Sequence, residues 1–154
     1  RMLFAEVGAR PEDDLFLRVE YDGEIVSNGA TYARARQDFA VLSGTRQSVE
    51  MMETFLKSEH KADAGFETAV NSALDAWSVG HLLLQASEAK ELPPRDAVAQ
   101  HRQEQLATAA IEAAVLERDG SRPIRYRSLT DNELRSIISR WLDYEGNFSD
   151  GEHK

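Results

Sequence analysis

The sequence holds four histidines, His60, His81, His101 and His153, and no cysteine. Zinc and similar metals need imidazole or thiolate donors in tight register on a helix or turn. No two of these histidines have that spacing on one expected helix. They are therefore read as solvated or supporting groups, with no metal and no cofactor expected. Ser43-Gly44-Thr45 falls where a strand turns into a helix, a place that can hold a nucleophile. The flanking glycines of a nucleophile elbow are missing, so the segment reads as a helix start. Asp13, Asp14, Glu88, Glu91 and Glu104 fall in loops or on polar faces, where solvation accounts for them. Trp77 and Trp141 lie on apolar helix faces, so packing is expected of both. No glycine cluster precedes a helix in a phosphate-binding spacing. These residues nominate no catalytic, cofactor-binding or metal-binding position.

The elements around them are clearer. Met2 to Val7 is a short apolar run closed by Gly8. Leu15, Leu17, Val19 and Tyr21 then alternate with Phe16, Arg18 and Glu20, the period of a strand. Asp22-Gly23 separates that run from Glu24-Ile25-Val26 and predicts a tight hairpin. Phe39 to Leu42 is expected to form a further short strand. Val49, Met52, Phe55 and Leu56 mark one face of a helix over Thr45 to His60. Phe66, Ala69, Val70, Ala73, Leu74 and Trp77 mark a second. Residues 86–106 are charged and carry Pro93-Pro94. They are expected to be a surface insertion, able to form a polar helix after Pro94. Ile111, Ala113 and Val115, the turn Asp119-Gly120, and Ile124 with Tyr126 form a second expected hairpin. Thr130 and Glu133 have capping-box spacing, with Leu129 and Leu134 around it as a hydrophobic staple. Leu134, Ile137, Ile138, Trp141 and Leu142 then form an apolar stripe, and Asn147 to Lys154 is expected to be a disordered polar tail. Strands, helices and strands in blocks imply an α+β fold rather than a doubly wound sheet.

Composition bounds the rest. A chain of 154 residues is about one domain, here spanning 1–146 with the 147–154 tail. Asp and Glu outnumber Lys and Arg by 27 to 18, giving a net charge of −9. That balance disfavours nucleic acid and anionic lipid as partners. No apolar run approaches the ~18 residues of a membrane span. The absence of cysteine suits a reducing compartment, and Arg1-Met2-Leu3 opens no signal-peptide pattern. A cytoplasmic location is expected. The abrupt apolar start also suggests a piece of a longer protein.

Four stretches, in order, resemble the C-terminal half of a proteasome core-particle subunit. The first is Leu3-Phe4-Ala5-Glu6-Val7, with the strand and "tyrosine, aspartate, glycine" hairpin of Leu17 to Ile25. The second, Phe39-Ala40-Val41-Leu42-Ser43-Gly44-Thr45, is similar to the apolar strand and small-residue turn opening the family's third major helix. The third is the helix Phe66-Glu67-Thr68-Ala69-Val70 to Leu74. The fourth runs from Ile111-Glu112-Ala113-Ala114-Val115-Leu116-Glu117-Arg118, through Arg125 to Thr130, to Glu133-Leu134. Together they cover Met2 to Leu142, and within the family the likeness is to the bacterial α-type subunit, whose variable loop falls at 86–106.

The resemblance implies an N-terminal-nucleophile hydrolase-like αββα sandwich, of which this is the C-terminal half. It implies a non-catalytic α subunit in a heptameric ring, structural and gating in protein degradation. The implied partners are other α subunits, proteasome β subunits and a ring-shaped ATPase activator, within a threonine protease complex. Catalytic subunits carry an N-terminal threonine and an Asp-x-x-Ser-Gly loop. This chain has Arg1, and Leu82 to Glu88 at the loop's place, so no activity of its own is expected. Two alternatives stand beside this reading: a catalytic β-type threonine peptidase of the same fold, and an unrelated α+β interaction module.

Overall fold

The computed structural model describes residues 1–27, 38–61, 63–86, 91–119 and 125–139. Strands β1 (Met2–Glu6), β2 (Leu15–Val19) and β3 (Ile25–Ser27) come first, with a single 3-10 turn at Pro11–Asp13 between β1 and β2. Helices α1 (Arg46–Glu59), α2 (Phe66–Gln85) and α3 (Arg95–Leu106) follow, then β4 (Ala114–Leu116) and β5 (Tyr126–Ser128). A further helix, α4, covers 131–139. The class is α+β, with one antiparallel sheet in the order β1-β2-β3 and another pairing β4 with β5.

The hairpin at Asp22-Gly23 forms for the reason its sequence gives. Gly23 has φ 83°, which costs a residue without Cβ nothing. Asp22 Oδ1 accepts from the Glu24 amide at 3.0 Å, and the Glu20 amide donates to the Glu24 carbonyl at 2.9 Å. Glu20 and Tyr21 are thereby drawn into the turn, so β2 stops at Val19 rather than Tyr21. Leu17 lies opposite both Phe4 and Ser27.

Phe39 to Leu42 is not a strand. Its apolar character reports burial, not pairing: Val41 is buried among Val49, Met52, Leu56 and Ala76. Arginines, not a neighbouring strand, satisfy nearby carbonyls. Arg18 Nη1 donates to Val41 O at 3.2 Å, and Arg1 donates to Ser43 O. Arg18 also pairs with Glu53 of α1 at 2.9 Å, which ties the sheet to the helices.

Thr45 caps α1 as expected. Its Oγ1 accepts from the Ser48 amide at 3.1 Å, and Ser48 Oγ accepts from the Thr45 amide at 3.4 Å. Serine replaces the usual Glu of a capping box because position 48 is buried. On α4, Thr130 Oγ1 accepts from the Glu133 amide at 3.3 Å, and Glu133 Oε2 accepts from the Thr130 amide at 2.8 Å. The Thr130 hydrogen bonds lower the Glu133 carboxyl below its ordinary range, helped by Arg127. Leu134 and Ile137 are the buried members of the α4 stripe. Trp141, Leu142, the turn at Gly120 and the tail from Asn147 to Lys154 lie outside the described residues.

α2 departs from its expected face. Phe66 and Trp77 are exposed, Trp77 to 36%, whereas Leu74, Ala76, Val79 and Leu83 are buried. The cause is burial from two sides. Ala76 meets the α1 cluster, while Val79, at 0% exposure, and Leu83 meet Val98 of α3. The reading of 86–106 as a surface insertion is thus corrected, because α3 supplies core. Replacing Leu56 by Ala is expected to lower unfolding stability by about 2–5 kcal/mol, and Thr45→Ala by about 1 kcal/mol. Urea denaturation of both variants checks the order.

Candidate functional site

The polar groups that tertiary structure brings together lie on the seam between α2 and α3. On α3, Val98, His101 and Arg102 are buried, the i, i+3, i+4 positions of a docking face. Val98 anchors that face in the apolar cluster, so the two polar neighbours must enter the seam with it.

Arg102 is 3% exposed. Its Nη1 donates to Asp75 Oδ1 at 2.7 Å, and its Nη2 donates to Asn71 Oδ1. Asn71 in turn donates through Nδ2 to the Glu67 carbonyl at 2.8 Å, which fixes which way its amide faces. Asn71 and Asp75 are four residues apart on α2, so one guanidinium reaches both. The guanidinium also borders a cleft of about 360 Å³ lined by Phe55, Glu59, Asp75, Arg95 and Val98. At its rim Arg95 donates to Glu59 at 2.6 Å.

His101, 5% exposed, packs on the adjoining side of the seam. Its Nε2 lies 2.7 Å from His81 Nδ1. Trp77 stacks on the His81 ring with centroids 5.5 Å apart and planes 12° apart. Burial pushes the His101 imidazole below its ordinary value, and the neighbouring His81 adds to this, while Glu104 opposes it. Two imidazoles in such contact hold one proton between them, so the pair is a proton-sharing contact.

The remaining singled-out residues do other work. His60 closes α1, its amide donating to Leu56 O at 2.8 Å, with its ring edge-on to Phe39. Ser43 accepts from Ser48 Oγ at 2.7 Å as part of the α1 cap. Asp13 pairs with Arg10, and Asp14 binds Arg118 through both carboxylate oxygens at 2.9 and 2.7 Å. Glu91 is exposed and Glu104 accepts from Gln100 at 2.8 Å. Glu88 and His153 lie outside the described residues. Reading the histidines one helix at a time missed the His81–His101 pair, since the two come from different helices. Arg102, Asn71 and Asp75 were also missed. Their signal was the spacing of Val98, His101 and Arg102, hidden by the charge of the segment.

Among the described residues, no group of three or more His, Asp or Glu side chains converges as a metal ion would need. No helix among them is long and apolar enough to cross a membrane. No family model, curated protein or solved structure matches this chain.

The seam carries an asymmetry that mutation can read. Asp75→Ala leaves the Arg102 charge buried with only Asn71, and is expected to cost about 3–5 kcal/mol. Arg102→Met leaves Asp75, whose side chain is 23% exposed and can hydrate, so the cost is smaller. Guanidinium chloride unfolding of the two variants gives the order.

Proposed function

We propose that this chain is a non-catalytic, α-type subunit of a bacterial proteasome core particle, structural and gating in protein degradation. The reading rests on the resemblance of the four stretches, and one structural observation supports it above the others. Among the described residues β1 is the outer strand of its sheet, and all five of its residues are exposed, with Phe4 at 51%. Met2 and Leu3 beside it, and Ile25 and Val26 on β3, are exposed as well. An open apolar strand in water invites pairing with another chain. A two-sheet sandwich, in which further strands and a helical layer cover this sheet, removes that exposure.

In this reading the chain's chemistry is assembly. Neighbouring α subunits complete the heptameric ring, β subunits stack beneath it and carry peptide-bond hydrolysis, and a ring-shaped ATPase docks above. The N-terminal-nucleophile sandwich supplies the layers that cover β1 and β3. The setting is the cytoplasm, where such particles degrade proteins.

Native mass spectrometry of the protein purified from its own cells tests this. Stacked sevenfold rings containing this chain are the expected result. A stable monomer overturns it and favours an α+β interaction module instead. A threonine exposed at a processed N-terminus of the full-length protein would favour the catalytic alternative. Phe4→Glu is expected to change the stability of the isolated chain by no more than about 1 kcal/mol, yet to abolish ring assembly on native gels.

A further inference from the structure

The contact between His81 and His101 has no place in the assembly reading, and its geometry constrains where protons can go. One nitrogen of His101, Nε2, faces His81 Nδ1 at 2.7 Å. The other, Nδ1, is buried without a hydrogen-bond partner. A buried N–H with no acceptor is costlier than a bare ring nitrogen, since a lone pair loses less in leaving water. The favoured arrangement therefore leaves His101 Nδ1 bare and has Nε2–H donate to His81 Nδ1.

An added proton has only two places to go. On His101 Nδ1 it makes a cation out of a desolvated ring and buries an unsatisfied donor. On His81 Nδ1 it sets one N–H against another and breaks the contact. The contact re-forms only if His101 carries its own proton on Nδ1 instead, which again buries a donor without an acceptor. The surroundings give little relief. From α2, His101 is faced by His81 and by Trp77, whose ring centroid is 5.7 Å away, and Asp75 is already bound to Arg102. From α3, Glu104 alone favours the proton, and Gln100 donates to it. Glu59 of α1, across the cleft, is paired with Arg95.

We propose that the His81–His101 contact makes α3 an acid-released clasp, docked on α2 while His101 is neutral and freed when His101 takes up a proton. Release uncovers Val79 and Leu83, which α3 covers through Val98, and opens the cleft that Arg102 and Arg95 border. The direction follows from linkage. Docking depresses proton affinity, so the released state takes up the proton first. Docking is complete above the ordinary histidine value of about 6.5 and is lost as pH falls below it.

Hydrogen–deuterium exchange of the full chain between pH 8 and pH 5, corrected for intrinsic exchange, tests the clasp. Amides of Arg95–Leu106 are expected to lose protection severalfold below about pH 6.5, while those of Arg46–Glu59 keep theirs. In His81→Gln, whose side-chain oxygen can still accept from His101 Nε2, the loss is expected to move to higher pH because the neighbouring ring that helps hold down the proton affinity of His101 is gone. His101→Phe, which takes no proton, is expected to abolish it. Parallel loss in α1 and α3 would mean global acid unfolding and overturn the proposal. So would pH-independent protection of α3 in the unmodified chain, or an unchanged profile in His81→Gln, which decides the matter even if His101→Phe does not fold.

Discussion

The close approach of α1 to α2 is the constraint on which the rest of the structure depends. A Cβ added at Gly80 would overlap the side chain of Met52, so glycine there lets the thioether lie against the backbone of α2, and a larger residue would make Met52 move. Ala76, one turn earlier, joins the same cluster as Val41, Val49, Met52 and Leu56. Val79 and Leu83 are then covered from two sides, by Met51 and Phe55 of α1 and by Val98 of α3. A single long helix thus belongs to both apolar clusters, and everything else is arranged around it.

Arginines secure the connections that secondary structure does not reach. Arg18 joins β2 to the Val41 carbonyl and to Glu53 of α1. Arg118, just beyond β4, donates to the Gly8 carbonyl at 2.6 Å while gripping Asp14, so the second sheet is held against the loop between β1 and β2. Arg127 of β5 bonds Glu133 at 2.8 Å and Glu117 at 3.3 Å, linking the hairpin to α4. Each guanidinium offers several donors in fixed directions, which suits it to closing irregular backbone that has no ladder. In an acidic chain most of these cations meet carboxylates nearby, and the loops they hold are correspondingly defined.

The seam between α2 and α3 is different in kind. Its apolar contact sets Val98 against Val79 and Leu83, with Met51, Phe55 and Leu82 packed around them, and polar groups are buried beside it. Arg102 is matched by Asp75 and Asn71, whereas His101 is matched only by another histidine. The open apolar strand β1 is a place where the molecule looks outward, and there the physical demand is for cover by further polypeptide.

The sequence by itself determined what local chemistry controls. The Asp22-Gly23 hairpin, the caps at Thr45 and Thr130, the helices after them and the antiparallel β4–β5 pair were all legible, because turn conformation and capping act within a few residues. The α+β class followed from their order. Only the tertiary structure decided which apolar residues meet and which polar ones are buried with them. Phe39 to Leu42 had the apolar run of a short strand but received arginines instead of a neighbour. Phe66 and Trp77 held the expected face of α2 until two helices claimed a different one. The charged segment around α3 looked like surface because a lone Val98 is a faint signal, and yet that valine carries His101 and Arg102 into the seam. Periodicity records that a face is buried; the partner that buries it, and the charges it must then satisfy, are set by groups distant in the chain.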